Sequence, residues 1–127
     1  MNTQLTVIIP VFNEINSIEL LLIKVLNNKI DKQIIVVDDY SSDGTRELLI
    51  NKFKNKIDKI IFHQKNLGKG AAIKSAQKYI IGKYTIIQDA DLEYDPSDYL
   101  LLINEAEKNK FQAVYGSRVL NKNMHTN

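Results

Sequence analysis

No cysteine occurs in the 127-residue chain, which rules out disulfides and thiolate metal sites and suits a reducing compartment. No apolar run reaches the roughly 18 residues of a membrane-spanning helix. The N-terminal "MNTQLTVIIP" lacks the basic n-region of a signal peptide and passes directly into strand-like sequence. Neither sign of charge dominates, the formal net value being +2, and no basic run is interleaved with aromatics. Nucleic acid is therefore not an expected partner. Internal repeats, linkers and low-complexity segments are also missing. What is present is an ordinary globular composition, 44% hydrophobic and 25% charged. The length suits one domain burying about two-thirds of its unfolded surface. These features lead to the expectation of one soluble, cytoplasmic domain over residues 1–120, with "NKNMHTN" (121–127) as a frayed tail that includes His125.

The hydrophobic pattern alternates between strand-like and helix-like segments. "LTVIIPVF" (5–12), "QIIVVDD" (33–39), "KIIFHQ" (59–64), "KYTIIQDA" (83–90) and "AVYGSR" (113–118) read as strands, the first two as strands buried on both faces. Between them, "NSIELLLIKVLNN" (16–28) repeats Ile18, Leu21, Leu22, Val25 and Leu26 at helical period, with Asn16 and Glu19 at capping-box spacing. "SSDGTRELLINKF" (41–53) predicts a helix that turns Leu48, Leu49 and Phe53 inward, and "GKGAAIKSAQKYI" (68–80) a third. Asp95 reads as the N-cap and Pro96 as the first residue of a fourth helix, with Asp98 serving the helix dipole. The alternation implies an α/β fold: a mostly parallel sheet with helices on both faces.

In open α/β sheets, ligands bind beyond the carboxyl ends of the strands. Those ends carry the most polar stretches of this chain: Pro10 to Glu14, Asp38 and Asp39, Asn66 to Gly70, Asp89 to Glu93, and Gly116 to Arg118. A bare D-x-D says little, but Asp89 and Asp91 end a buried strand whose period of two puts them on one side. Two close carboxylates favour either protonation of one or a divalent cation between them and an anionic ligand. Oxygen-only ligands select Mg²⁺ or Mn²⁺, with Glu93 either a further ligand or a solvated loop acid. Gly68 and Gly70 permit a turn that opens a helix N-terminus, where free N–H groups attract anions, and Lys69 adds positive charge. Of the paired Asp38 and Asp39, one can face the cleft and the other cap the next turn. A carboxylate there accepts from the N–H edge of a base or from a ribose hydroxyl. Asn13 is a turn former or a ligand contact, Arg118 a phosphate binder or a surface residue, and His63 reads as packed within a strand.

Taken in order, "VIIPVFNE", "IIVVDDYSSDGT", "NLGKGAAIKSA", "IIQDADLEYDP" and "VYGSR" resemble glycosyltransferase family 2, and within it the dolichyl- and polyprenyl-phosphate sugar synthases of GT-A fold. The likeness runs from residue 5 to residue 118. It implies a hexosyl transfer, with inversion, from a UDP- or GDP-linked sugar onto a polyprenyl or dolichyl phosphate or a saccharide. By position, the resemblance implies that Pro10, Phe12 and Glu14 line a nucleoside pocket with Val37 and Asp39, and that Lys69 lies near the base or phosphates. Asp89, Ala90 and Asp91 would hold ribose and a metal–diphosphate, Glu93 would help bind the metal, and Arg118 would approach the diphosphate or the acceptor's phosphate. Family members continue well past the "GSR" strand, with an acceptor-side segment that carries the base. The resemblance therefore implies a donor-binding part, without its own catalytic base and with little or no transfer, peripheral at the cytosolic membrane face when the acceptor is a lipid.

Two other classes share some of these features. A phosphate-accepting receiver domain also opens with "IIVVDD"-like sequence, but here a full β–α unit precedes the paired acids and no lysine ends a later strand. A dinucleotide-binding oxidoreductase would need Gly or Ala where Ile73 follows "GKGAA", and would carry that turn after its first strand. A non-catalytic nucleotide-binding module is the remaining alternative.

Overall fold

The computed structural model describes residues 3–90, 96–109 and 118–121. Its elements run β1 (Leu5–Val11), α1 (Ile18–Asn27), β2 (Lys32–Asp38), α2 (Thr45–Leu48), β3 (Lys59–Phe62), α3 (Lys69–Gln77), β4 (Tyr84–Ile87), α4 (Tyr99–Asn109) and β5 (Arg118–Asn121). They form one sheet in the order β3-β2-β1-β4-β5. The first four strands are mutually parallel, and β5 is antiparallel to β4 at the edge. The fold class is thus the expected one, with a reversed edge strand of the kind that mixed α/β sheets carry.

Strand period two decides which side chain serves which face. Leu5, Val7, Ile9 and Val11 of β1 join Ile18, Leu21, Leu22 and Val25 of α1, with Tyr99, Ile103 and Ala106 of α4, in one core. Ile8 points to the other side, where Ile35, Val37 and Ile87 meet Ala72 and Ala76 of α3. Helices therefore cover both faces. The four buried α1 residues are fully excluded from solvent, each contributing on the order of 1.5–3 kcal/mol of transfer free energy. Among the described residues, no helix is long and apolar enough to cross a membrane.

Several boundaries differ from the pattern-based expectation. Helix α1 starts at Ile18, and no capping box forms: Glu14 O accepts from both Ser17 N (3.1 Å) and Ile18 N (2.9 Å), so an upstream turn closes the helix start. The segment after Gly44 begins as α2 and widens into a π-helical turn over Leu49–Phe53, which still buries Leu49 and Phe53. Helix α3 ends at Gln77 because Tyr79 N bonds Ala76 O and Ile80 N bonds Gln77 O, tightening the last turn. Pro96 opens a 3-10 turn, Pro96–Asp98, that leads into α4. Residues 113–117 of the expected last strand, and the Asp95 cap, lie outside the described residues. Arg118 does not end β5: the strand continues from it to Asn121, a residue expected in the tail.

At the edge opposite the strand ends, Gly82 is pressed against β1. Its N–H donates to Thr6 Oγ1 (2.8 Å), whose hydroxyl in turn donates to Gln33 Oε1 (2.8 Å). A Cβ at Gly82 would lie 2.4 Å from Thr6 N and 2.6 Å from Leu5 C. Both are backbone atoms of a central strand and cannot yield independently. Gly82→Ala is expected to destabilise the fold by about 2 kcal/mol or more, read as a lowered midpoint in thermal or urea denaturation.

Candidate functional site

The strand order reverses between β1 and β4. The chain steps outward from β1 through β2 to β3, then crosses back to β4 on the far side of β1. Such a switch point leaves a crevice at the carboxyl ends of the two strands. The register shows how it opens. Strand β1 pairs with β4 only from Leu5 to Ile8, whereas pairing with β2 continues to Val11. Hydrogen bonds alternate sides along β1: Ile8 O accepts from Gln88 N toward β4, and Val11 O accepts from Asp39 N toward β2. The missing N–H of Pro10 therefore falls on the β4 side just after that pairing has ended. A proline is tolerated in this central strand because its deficit faces the crevice.

The crevice has a volume of about 300 Å³ and is lined by Pro10, Val11, Phe12, Glu14, Asp39, Lys69, Ala72, Asp89 and Ala90. The structure thus brings together most of the residues singled out in the sequence. Val37 is not among them: it is fully buried beneath α3, in the apolar cluster with Ile8 and Ala72. It lies two residues before Asp39 on the same face of the sheet, one step deeper, where α3 covers it. Asp91 and Glu93 lie outside the described residues. Arg118 pairs in register with Ile87, so the reversed direction of β5 brings its start to the carboxyl edge of β4.

Asp39 is the most constrained polar group of the site, with 4% of its surface exposed. Its Oδ1 accepts from Leu67 N (2.8 Å) and lies 2.8 Å from His63 Nδ1, while Oδ2 accepts from Gly68 N (2.8 Å). Burial pushes this carboxyl up, but the bonds from Leu67, His63 and Gly68 outweigh it and hold Asp39 below the ordinary carboxylate range. Asp38 takes the other role: its Oδ2 accepts from Ser41 N (3.1 Å) and closes the turn after β2.

The glycine turn is built around one unusual backbone conformation. Gly68 sits at φ 95° and ψ 164°, a region reserved essentially for glycine. Gly70, by contrast, lies inside α3 with open space around a would-be Cβ, so only Gly68 is required by backbone geometry. The turn ends at the first residues of α3, whose leading N–H groups have no intrahelical acceptors. Lys69 Nζ reaches across to Asp89 Oδ1 at 2.5 Å, joining the glycine turn to the end of β4. Behind Asp89, buried Gln88 accepts from Tyr99 Oη (2.8 Å).

The loops after β1 and β2 are also tied to each other. Asn13, at φ 52°, receives Ser42 N on its Oδ1 (2.8 Å) and donates its own N–H to Ser41 Oγ (2.9 Å). It forms the turn. Asp43 accepts from Thr45 N, Thr45 Oγ1 and Ile15 N. Burial raises the Asp43 carboxyl, but the Thr45 and Ile15 bonds prevail and lower it. Ser17 Oγ lies 2.7 Å from Ala90 O and 3.0 Å from Glu14 Oε2, fixing one wall of the crevice. Sequence reading missed these ties, although the run "YSSDGT" signals them: short polar side chains in series form turns by bonding nearby backbone.

Oxygen donors at the end of β4 suit a hard divalent cation. Among the described residues, no three potential ligand side chains come together. Asp89 is the one described carboxylate of the acidic run there, and it already faces a cation in Lys69.

A parallel α/β sheet with its crevice at this switch point, walled by acids and a glycine turn, has the architecture of the GT-A glycosyltransferases. A mannosyltransferase from Pyrobaculum calidifontis, solved with GDP-Man and Mn²⁺, superposes with a TM-score of 0.71 at 24% identity, over 90% of this chain and 34% of that one. Staphylococcus aureus TarS, solved with UDP, gives a TM-score of 0.71 at 22% identity, over 87% and 34%. The chain belongs to glycosyl transferase family 2, whose family model matches residues 6–127. It is 33% identical over 132 residues to a dolichyl-phosphate beta-glucosyltransferase of Dictyostelium discoideum, covering 92% of this chain and 40% of that protein. It spans between 18% and 40% of the length of the curated relatives it matches here. Membership in this family displaces the receiver and dinucleotide-binding readings.

Proposed function

We propose that the crevice binds the nucleoside diphosphate of a UDP- or GDP-linked sugar, and that these residues are the donor-binding part of an inverting hexosyltransferase that uses a polyprenyl or dolichyl phosphate or a saccharide acceptor. The observation that carries the proposal is the grouping of Asp39, Lys69 and Asp89 around one crevice at the switch point. Asp39, an acceptor held in the ionised form, suits an N–H edge of the base or a ribose hydroxyl. Phe12, 45% exposed at the rim, offers an apolar surface to the nucleoside, beside Pro10 and Glu14. Lys69 and the first turn of α3, presented by Gly68, suit the diphosphate.

In this reading, Asp89 and Asp91, with Glu93, would hold Mg²⁺ or Mn²⁺, and Ala90 would let the ribose approach the backbone. Such a cation, when bound, supplies electrostatic stabilisation to a diphosphate leaving group. Lys69 supplies charge to the same oxygens from the opposite wall. Arg118 would approach the diphosphate or the acceptor's phosphate from the edge of β4. No residue here is assigned as the base that deprotonates the acceptor, so binding with little or no turnover is expected of these 127 residues. A lipid-phosphate acceptor would place the domain peripherally at the cytosolic membrane face. Residues 1–120 are taken as the binding domain.

Calorimetric titration of UDP- and GDP-sugars, with and without Mn²⁺, tests the proposal. One nucleotide series is expected to bind saturably and at least about tenfold more tightly with the metal. Binding of the free nucleotide that is indifferent to both sugar and metal would favour a non-catalytic nucleotide-binding module. No binding of any nucleotide sugar would refute the assignment.

A further inference from the structure

We propose that His63 is a positioning residue of the donor site, clamping Asp39 to the glycine turn; its bearing on ligand binding rests on the donor-site reading above. His63 follows β3, is 7% exposed, and does not line the crevice. Its backbone N–H donates to Asp38 O (2.9 Å), which fixes the residue against the end of β2. Its ring spans two elements: Nδ1 is 2.8 Å from Asp39 Oδ1 and Nε2 is 2.8 Å from Ser75 Oγ on α3.

Proton counting sets the direction of these bonds. An ionised carboxylate only accepts, so Nδ1 carries the hydrogen toward Asp39 in both the neutral and the charged ring. Ser75 has one hydroxyl proton and two acceptors within reach: His63 Nε2 at 2.8 Å and Ala71 O at 3.0 Å. A neutral ring takes that proton; a charged ring donates to the hydroxyl instead and leaves the proton for Ala71 O. The contact to α3 thus adapts to the state of the ring, whereas the contact to Asp39 is constant.

The constant contact has a geometric consequence. Oδ1 of Asp39 is filled by His63 and Leu67 N, and Oδ2 has accepted one bond, from Gly68 N. With roughly four acceptor positions on a carboxylate, the remaining one lies on Oδ2, beside the turn that presents Lys69. Together with Leu67 N and Gly68 N, His63 opposes rotation of the carboxylate. One buried imidazole therefore holds both the acceptor at the crevice and the backbone of Leu67 and Gly68 in a fixed relation.

The test uses the whole chain with three substitutions. His63→Asn places an amide nitrogen near the position of Nδ1 and keeps the donor to Asp39. His63→Gln reaches toward Nε2 and loses it, and His63→Phe keeps the ring without polar atoms. UDP and GDP affinities are measured by calorimetry, and the Leu67 and Gly68 amide protons and His63 ring nitrogens by NMR. Expected are a protonated Nδ1 in the unsubstituted chain, and affinity about tenfold weaker in His63→Gln and His63→Phe. Both amide resonances should shift in those two variants, with affinity and shifts restored in His63→Asn. Should His63→Phe not fold, the Asn and Gln pair carries the comparison. Unchanged affinity and unchanged amide shifts in folded His63→Gln, or an unprotonated Nδ1, would overturn the proposal. If the unsubstituted chain binds neither nucleotide, the donor-site reading falls by itself. The Leu67 and Gly68 resonances then decide the clamp, displacement in His63→Gln with return in His63→Asn supporting it and constancy refuting it.

Discussion

Asp39→Ala is expected to lose about 3 kcal/mol or more of folding stability and, with it, nucleotide binding. The substitution removes the shared acceptor of Leu67 N, Gly68 N and His63 Nδ1. Each donor left unsatisfied in a buried setting costs on the order of 1–3 kcal/mol, and water entering at the crevice recovers part of the total. Because the three donors belong to the glycine turn and the end of β3, the damage falls on the presentation of Lys69 as well as on the missing carboxylate. Urea denaturation gives the stability change, and calorimetry at a temperature where the variant is folded gives the binding change. A variant with an unaltered midpoint would show that these bonds do not hold the turn.

The same carboxylate predicts a pH dependence. Asp39 and Asp43 are both held below the ordinary value of 3.8 in the folded chain. As pH falls, the unfolded chain takes up these protons first, so the unfolded state gains relative to the folded one. The stabilisation is complete above the ordinary value and is lost as pH drops from there through the lower folded values. The unsubstituted chain should therefore lose stability steeply below about pH 4, and Asp39→Ala should show a flatter profile over that interval.

Asp91→Ala is expected to weaken metal affinity by about one hundredfold or more, and with it to remove the metal-dependent component of donor binding. Substituting residues that merely support a metal ligand commonly costs 10- to 100-fold in metal affinity, so loss of a proposed ligand should cost at least that. In the proposed site a nucleoside diphosphate would bring negative charge to the end of β4, where Asp89 already stands, and a cation would offset it. Without a cation, the second carboxylate would repel the ligand, and without Asp91 the cation loses a donor. Titration of the nucleotide sugar with and without Mn²⁺ should give nearly equal affinities in the variant. Asp98→Ala, at an exposed position of the 3-10 turn before α4, serves as the control and should retain the metal effect. Persistence of the full Mn²⁺ effect in Asp91→Ala would take that residue out of the proposed site.

Much of this architecture was legible because its cause is local. Strand and helix periods, β-branched runs and polar strand ends in "VIIPVFNE", "IIVVDD" and "IIQDA" mark where buried backbone emerges at an edge. The pattern of strands alternating with helices leaves few arrangements besides a parallel sheet. The expected positions of Pro10, Phe12, Glu14, Asp39, Lys69, Asp89 and Ala90 at one crevice follow from those two facts. Val37 shares the face of Asp39 but lies beneath α3, a depth that spacing along an apolar strand does not encode and that only the packing of the helix sets.

Sequence by itself determined the elements, the two-sided core and the edge at which chemistry collects, since these depend on spacing and polarity along the chain. Tertiary structure alone decided the reversed direction of β5, the early parting of β1 and β4 that makes room beside Pro10, and the partners of Asp39. Those features pair residues from 24 to 29 positions apart, as between Asp39 and His63, Leu67 or Gly68, or across more than 30, as between Ile87 and Arg118. No local propensity encodes such pairings. They exist because packing the helices onto the sheet buries these backbone and ring donors, and a buried donor without an acceptor is costly.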